Sequence, residues 1–362
     1  MTSREGGLLN RAAGAVSVIA MYASAAVLAI GWLTWVRSGA VPRAPARMTA
    51  VAPARNASPG EAPAGSPAGV PNKSQGAPAG AHPGKAHAAP GLRGDPGLRS
   101  NLALVIDAER GETIFAKRPD QVAPIASITK LMTAMVVLDA DLPPDDLITI
   151  DRVDMDTVKW SESHLPVKAR LTRGDLIDVA LMASENRAAS ALARSYPGGT
   201  PACVEAMNRK AAELGLASTR FADPTGLSPM NVSNATDLAR LVLAARGYPR
   251  IRQATTTATK SVRLASGRGL QFHNTNRLVG RKTWDIALSK TGYIDEAGRC
   301  LVMVTRLAAR DVVIVLLDSF GKYTRLGDAS RIRTWMERSP FQGSGEAASA
   351  VSGTAAINRG PS

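Results

Sequence analysis

The 362-residue sequence predicts an α/β fold, in which an antiparallel sheet is flanked by helices and carries an inserted all-helical subdomain. Three observations lead to this prediction. Strand-like runs begin just after residue 101, helical spacing dominates about residues 145–255, and strand-like runs return after residue 260. A sheet built from both ends of this region, with the helices inserted between them, is the economical arrangement.

Local patterns predict the individual elements. Residues 102–117 contain two β-rich runs around Gly111, which indicates a hairpin. From Pro124 to Ala140 the apolar residues recur with helical spacing. Further helices are expected at 176–181, 204–214 and 236–245, the last capped by Thr236 and Asp237, further strands at 261–264, 286–290, 300–307 and 312–318, and a final helix at 325–337.

The N-terminal 37 residues have the pattern of an export signal. Residues 12–36 contain no charged side chain. As a helix they would be roughly 37 Å long, enough for a bilayer core of about 30 Å. A cleaved signal peptide has an apolar region of only about 7–15 residues, so the length favours an uncleaved signal anchor, although Ser38-Gly39-Ala40 offers a cleavage site. Both interpretations of residues 1–37 export the rest of the chain.

Two further segments lack the residues that build a core. Residues 38–100 are rich in Pro, Ala, Gly and Ser and hold eleven of the 23 prolines, which predicts a disordered tether. Residues 341–362 are similarly rich in Gly, Ser and Ala and are predicted to form a disordered tail. The folded domain is therefore expected to span residues 101–340.

The net charge of +14 suggests an anionic partner. Residues 1–100 hold ten basic and three acidic side chains, so half of this excess lies outside the predicted domain. The basic residues are not interleaved with aromatic ones, and export separates the protein from genomic DNA, so nucleic acid is not expected as a partner.

Histidine and cysteine content argues against metal chemistry. The sequence has four His and two Cys, without an H-E-x-x-H motif or a pair of C-x-x-C motifs, so neither a metal nor an organic cofactor is expected. Cys203 and Cys300 could form one disulfide in an oxidising compartment. The apolar run around Cys300 favours a buried, unpaired thiol instead.

The first motif with candidate chemistry is Ser127-Ile128-Thr129-Lys130, at the start of the helix after Pro124. Positions i and i+3 share a helical face, so the Lys130 ammonium can reach the Ser127 hydroxyl. A serine hydroxyl becomes a nucleophile when a base accepts its proton. Lysine can be this base where burial and a second cation lower its pKa.

Two more motifs follow in order. Ser184-Glu185-Asn186 comes after the apolar helix, and Lys290-Thr291-Gly292 ends the strand that begins at Ile286. The last offers the second cation, a hydroxyl, and a residue without a side chain against which a substrate can lie. Each motif is weak alone, but S-x-x-K, S-D-N and K-T-G in this order are the signature of penicillin-binding proteins and class A β-lactamases.

In these motifs and beyond them, residues 100–340 resemble the low-molecular-mass penicillin-binding proteins of the D-alanyl-D-alanine carboxypeptidase and endopeptidase family. The segments similar to the endopeptidase branch are SITKLMTAMVVLDA, LTRGDLIDVALMASENRAASALARSYPGG, FADPTGLS, NTNRLV and SKTGYIDEAGRCLVM. The resemblance implies a serine β-lactamase/transpeptidase-like fold. It also implies a periplasmic enzyme of cell-wall remodelling and cell shape, anchored in the inner membrane through residues 12–36 or soluble after cleavage.

The resemblance also implies roles for the matching residues. Ser127 would form the acyl-enzyme on a peptidoglycan stem peptide, or with β-lactam inhibitors, and Lys130 would be its base. Ser184 would pass a proton to the leaving amine.

The other matching residues would bind substrate. Asn186 would orient Lys130 and the substrate backbone, while Lys290 and Thr291 would hold a substrate carboxylate. The oxyanion hole would use backbone N–H groups at Ser127 and just past Gly292.

Two features of the sequence discriminate among the related activities. The only glutamates between the second and third motifs are Glu205 and Glu213, and neither stands in an E-x-x-L-N setting. Their placement disfavours a β-lactamase, which needs a glutamate to activate water. The short C-terminal region favours the endopeptidase over a D-Ala-D-Ala carboxypeptidase, which remains the alternative. A non-catalytic wall-binding protein is the rival from another class.

Three features have no role in this interpretation. Glu185 stands where the common second motif has Asp, His164 has no use in the mechanism, and His273 is expected to be structural. The basic residues Arg277 and Lys282, with Arg281 between them, either hold acidic stem peptides or form a solvated loop.

Overall fold

The computed structural model describes residues 87–88 and 94–338. The predicted export signal at 1–37, nearly all of the predicted tether and the predicted tail at 341–362 lie outside the described residues. Among the helices that are described, none is both long and apolar enough to cross a membrane.

The strands within the described residues occur at both ends of the domain and as short pairs between them. In chain order they are β1 His87–Ala88, β2 Leu102–Asp107, β3 Thr113–Lys117, β4 Ala123–Pro124, β5 Leu147–Thr149, β6 Arg170–Thr172, β7 Val232–Ser233, β8 Thr259–Arg263, β9 Gly269–His273, β10 Asp285–Ile294, β11 Gly298–Leu307 and β12 Arg310–Ser319.

The helices lie mainly between the two groups of strands. They are α1 Thr129–Asp139, α2 Arg173–Met182, α3 Asn186–Arg194, α4 Gly199–Glu213, α5 Ala235–Arg246, α6 Pro249–Thr256 and α7 Thr324–Arg338, with 3₁₀ turns at Ala126–Ile128 and Arg152–Asp154.

The central sheet is antiparallel and joins the two ends of the domain, as predicted. Its strand order is β1-β3-β2-β12-β11-β10, so the N-terminal β2 pairs with the C-terminal β12. β10 lies at one edge of this sheet. The fold class predicted from the sequence is confirmed, with helices on both faces of the sheet and a helical insertion between its two halves.

Both faces of the sheet are buried, which explains the nearly continuous apolar runs of β11 and β12. Alternate residues along a strand point to opposite faces. Val302 and Val315 belong to the core shared with the helical insertion, whereas Leu301 and Leu316 pack in a second core under α7. In this second core the rings of Phe115 and Trp335 meet edge to face, with centroids 6.0 Å apart.

Several predicted boundaries were wrong. The helix predicted from Pro124 begins with the 3₁₀ turn, and α1 proper starts at Thr129. The strand predicted to end at Lys290 continues to Ile294, because its pairing with β11 persists through the third motif. The predicted cap of α5 is wrong: the Asn234 side chain accepts the hydrogen bond from the Asp237 N–H.

β8 overlaps the strand predicted at 261–264, whereas its partner β9 and the helices α3 and α6 had no specific prediction. Cys203 and Cys300 are both free and buried, so the prediction of an unpaired Cys300 is confirmed. Burial raises the pKa of both thiols to about 12.

One buried carboxylate ties the N-terminal segment to α7. The fully buried Asp328 accepts hydrogen bonds from the backbone N–H groups of Arg99 and Ser100 and from the Ser100 hydroxyl. We expect Asp328→Ala to lower the free energy of unfolding by about 3 kcal/mol, because these buried donors lose their acceptor. Urea denaturation measures this free energy of unfolding. Asp145→Ala, at an exposed carboxylate, should change it by less than about 0.5 kcal/mol. An equal loss in both variants would contradict the prediction.

Candidate active site

The first motif lies where the 3₁₀ turn meets α1. The preceding β4 pairs with β7, and the Ile125 N–H donates to the Asn231 carbonyl at 3.0 Å. Ala126 has a left-handed backbone (φ +48°), so the chain turns sharply just before Ser127. The Nζ of Lys130 lies 2.9 Å from Ser127 Oγ, which confirms that the two side chains reach each other.

The Lys130 side chain is 1% exposed and has two further partners. Its Nζ donates to Asn186 Oδ1 at 2.7 Å and to the Thr225 carbonyl at 2.6 Å. A neutral amine has two N–H groups, and these two acceptors satisfy both. Its lone pair is then directed at the Ser127 hydroxyl, which is the geometry of a general base.

Burial is the largest influence on Lys130 and lowers its pKa to about 7. The carboxylates of Asp223, Glu185 and Asp156 act in the opposite direction. Near pH 7 about half of the molecules therefore carry the neutral amine. The sequence predicted that burial and a second cation, Lys290, would lower the pKa of Lys130. Burial does so, whereas the effect of like charge is found at Lys290, whose own pKa is lowered by Lys130 and Arg325.

The second and third motifs meet at a second pair of side chains, Ser184 and Lys290. Ser184 has a left-handed backbone (φ +61°) between α2 and α3. Its Oγ accepts a hydrogen bond from Lys290 Nζ at 2.9 Å, and the same ammonium donates to the Thr291 carbonyl at 2.9 Å. Burial, followed by the charges of Lys130 and Arg325, lowers the pKa of Lys290 well below its usual value.

β10 runs directly against the Ser127 turn. A Cβ atom at Gly292 would lie 2.9 Å from the Ile125 carbonyl oxygen and 3.1 Å from the Ser127 nitrogen, so this approach requires glycine. The neighbouring Thr291 hydroxyl donates to Thr275 Oγ1 at 2.6 Å. The structure thus brings all three motifs to one place, between the edge strand and the helical insertion.

Asn186 is oriented by a loop that the sequence prediction did not include. Its Nδ2 donates to Ser161 Oγ at 2.7 Å, and that hydroxyl donates to the Asp156 carboxylate at 2.6 Å. Because Nδ2 is committed to Ser161, the amide oxygen faces Lys130. Asp156 and Ser161 therefore hold the amide group that contacts Lys130.

The buried Glu185 anchors the same loop. Its carboxylate accepts hydrogen bonds from the Ser163 hydroxyl at 2.6 Å and from the His164 N–H at 2.8 Å. The His164 ring itself is 79% exposed, 3.5 Å from Glu185. The middle residue of the second motif thus supplies both a structural anchor and a negative charge near Lys130.

Asp223 organises the loop that presents the Thr225 carbonyl to Lys130. Its carboxylate accepts from the backbone N–H groups of Thr225, Gly226 and Ser228 at 2.6–2.8 Å. The segment FADPTGLS was recognised in the sequence as part of the family resemblance, but without a role for these residues. Every residue type has a backbone carbonyl, so the contact between Thr225 and Lys130 could not be predicted from the type of residue at position 225.

Arg325 is a cation that the sequence prediction missed. It lies in the first turn of α7, is 8% exposed, and its Nε and Nη1 have no hydrogen-bond partner among the described residues. Burial and the charge of Arg299 lower its pKa to about 10. An arginine at a helix N-terminus opposes the helix dipole, and this unfavourable placement was a signal that could have found it.

Other candidates lie outside this group. His273 is exposed at the end of β9, with Nδ1 3.4 Å from Thr259 Oγ1. Within residues 87–88 and 94–338, no cluster of three or more His, Cys, Asp or Glu residues could hold a metal ion.

A serine hydroxyl 2.9 Å from a buried lysine amine, on an antiparallel sheet with a helical insertion, places the protein among the serine enzymes of the β-lactamase/transpeptidase-like fold. Residues 90–321 match the D-alanyl-D-alanine carboxypeptidase family, Peptidase S11, and the chain belongs to this family. The protein is therefore a serine DD-peptidase, which confirms the class predicted from the sequence.

Relatives are similar over most of their length. The D-alanyl-D-alanine endopeptidase of Pseudomonas aeruginosa is 49% identical over 241 residues, 66% of this chain and 78% of that protein. The Escherichia coli enzyme of the same description is 47% identical over 243 residues, 67% of this chain and 78% of that protein. The crystal structure of the Streptomyces K15 DD-transpeptidase matches with a TM-score of 0.63 at 27% identity, over 67% of this chain and 98% of that chain.

Gly226 should be required for a productive Ser127 turn. It has φ +82°, and a Cβ atom there would lie 2.1 Å from the Ala126 carbonyl oxygen. We expect Gly226→Ala to slow acylation by a fluorescent penicillin by roughly 100-fold, because a misplacement of about 1 Å costs that much. Gly111→Ala is the matched control, with φ +69° and open space around it. Equal acylation rates in the two variants would contradict the prediction.

Proposed function

We propose that the protein is an exported DD-endopeptidase, which cleaves the D-alanyl peptide bond of peptidoglycan cross-links through an acyl-enzyme on Ser127. The observation that carries the proposal is the geometry of Lys130. A buried amine with a pKa of about 7, whose two N–H groups already have acceptors, has only the Ser127 hydroxyl left for its lone pair.

In the acylation step, Ser127 Oγ attacks the D-alanyl carbonyl carbon while its proton passes to Lys130. The oxyanion would be held by backbone N–H groups at Ser127 and just past Gly292, whose approach to the Ser127 turn brings β10 within reach. The carbon–nitrogen bond then breaks. The proton held by Lys130 is relayed through Ser184, itself hydrogen-bonded to Lys290, to the leaving amine, which leaves Lys130 neutral again.

Deacylation uses the same groups. Water attacks the Ser127 ester and gives its proton to Lys130. Lys130 returns this proton to Ser127 Oγ as the ester bond breaks and the carboxylic acid product leaves. β-Lactams would form the same ester and hydrolyse slowly, which makes them inhibitors.

An extended substrate fits the edge of the sheet. β10 is an edge strand among those described, and the edge of a sheet offers N–H and C=O groups that pair with an added peptide strand. The substrate carboxylate would be held by Thr291 and by the cations Lys290 and Arg325. The unpartnered nitrogens of Arg325 support this assignment.

The structure offers little support for the rival functions. Glu205 forms an ion pair with Arg209 on α4, and Glu213 is exposed at the end of the same helix, so neither contacts the Ser127 group. A non-catalytic wall-binding protein has no need of a buried lysine with a lowered pKa. D-Ala-D-Ala carboxypeptidase activity remains the second candidate, because the match to the whole family covers both.

Export through residues 12–36 is part of this proposal. It would place the domain in the periplasm, where peptidoglycan lies, either anchored in the inner membrane or released after cleavage. The uncharged run of 25 residues supports it.

Digestion of purified cross-linked muropeptides tests the function. The native protein should release monomers, and Ser127→Ala should lower the rate by at least roughly 1,000-fold because the nucleophile is lost. Ser266→Ala, at an exposed serine of the β8–β9 turn, should retain full activity. Loss of terminal D-alanine without cleavage of cross-links would instead identify a carboxypeptidase.

The rate of acylation should depend on pH through Lys130. The base must be neutral, so the second-order rate constant with a penicillin should rise with pH through about 7. Glu185→Gln removes a negative charge that favours the ammonium form, so the midpoint should move to lower pH. Glu205→Gln, on the exposed face of α4, should leave it unchanged. A midpoint that stays constant or rises in Glu185→Gln would refute the role of Lys130.

A further inference from the structure

A cluster of basic and aromatic side chains lies beside α7, outside the group of catalytic motifs. We call it the basic–aromatic surface. It is formed by the loop 277–284 and the facing residues of the α7 region, and its members are Arg277, Arg281, Lys282, Trp284, Lys322, Tyr323 and Arg333. The first three were noted in the sequence, and the proposed function does not use them.

Direct contacts join the two halves of this surface. The guanidinium of Arg277 lies 5.6 Å from the centre of the Tyr323 ring, and the Lys322 ammonium lies 5.8 Å from the same ring. Arg333 lies 5.6 Å from the ring of Trp284 and donates to the carbonyl of Thr283. The loop and α7 thus form one continuous surface.

The positive charge of this surface is largely uncompensated. Among the described residues, Arg277, Arg281, Lys282 and Lys322 form no ion pair, and all four are exposed. Arg333 alone has a carboxylate partner, Glu337. Clustering lysines and arginines on a protein surface contributes little to stability, because like charges repel one another. Such a cluster therefore fits an anionic ligand.

The surface begins next to the third catalytic motif. Thr275 accepts a hydrogen bond from Thr291, and Arg277 follows two residues later. From Tyr323 to Arg333 the rise along the helical region is about 15 Å. An extended peptide covers this length with about four to five residues at about 3.3 Å each. A peptide that leaves the catalytic group on this side would lie along the basic residues.

We propose that the basic–aromatic surface binds the carboxylates of an acidic peptide, the portion of the cross-linked substrate that extends away from the bond cleaved at Ser127. This inference rests on the proposed function and deepens it, because it assigns an extended acidic substrate to the site. The arginines would hold carboxylates, while the rings of Tyr323 and Trp284 keep the guanidinium groups in place.

A charge-matched pair of variants tests the inference. Arg277→Gln/Lys282→Gln removes two charges from the surface and leaves Arg281, whose Nε holds the loop through the Arg277 carbonyl. Arg263→Gln/Arg268→Gln removes two charges from the exposed β8–β9 hairpin. The ligand is a purified acidic muropeptide dimer, and a second preparation has its carboxylates amidated. KM and kcat are measured for each protein, together with the rate of penicillin acylation.

We expect the surface variant to raise KM for the acidic dimer roughly fivefold, the sum of two exposed ion pairs, with kcat and penicillin acylation unchanged. The amidated dimer should show the raised KM with native protein and no further effect of the variant. The hairpin variant should keep the native KM. An unchanged KM in the surface variant, or equal changes in both variants, would overturn the inference.

A binding measurement separates this inference from the proposed function. Ser127→Ala protein, with and without the surface substitutions, is titrated with the acidic dimer, so no cleavage is required. A fivefold weaker dissociation constant supports the surface even if the native protein cleaves no cross-links. If the surface substitutions leave dimer binding undiminished but abolish binding to vesicles of anionic lipid, the surface binds a membrane and the inference of a peptide ligand is overturned.

Discussion

The buried amine of Lys130 is the interaction on which the rest of the site depends. It lies where three separate parts of the chain meet: the Ser127 turn, Asn186 at the start of α3, and the Thr225 carbonyl. A buried amine without acceptors costs several kcal/mol, so these three parts stabilise one another only when all are in place. The same constraint that holds the insertion against α1 therefore also orients the Lys130 amine towards the Ser127 hydroxyl.

The charges around Lys130 are balanced so that its pKa falls near neutrality. Burial alone favours the neutral amine, which would be a weaker base the further its pKa falls. The carboxylates of Asp223, Glu185 and Asp156 offset part of this effect and also organise the loops that contact the site. The same three carboxylates thus position the loops around Lys130 and adjust the basicity of its amine. Structural and catalytic roles are consequently hard to separate by deleting a side chain, and isosteric changes such as Glu185→Gln are more informative.

The two halves of the domain contribute different properties. The sheet, buried on both faces, holds the third motif in a continuous strand whose edge faces the Ser127 turn. The insertion contributes loops held by single carboxylates. The strand and the anchored loops together bring the basic side chain of Lys290 to Ser184, with the buried Arg325 close enough to influence it. The basic–aromatic surface would extend this positive region along α7.

The sequence by itself determined the class of the protein and the contact between Ser127 and Lys130. Ser127 and Lys130 are three residues apart, so the helical repeat alone brings them together, and the alternation of strand-like and helical segments predicts the sheet with its insertion. Only the tertiary structure decided the pKa of Lys130, the third-motif strand that continues to Ile294, and the roles of Arg325 and the Thr225 carbonyl. Those depend on burial and on contacts between residues as many as 95 positions apart, which no local pattern encodes.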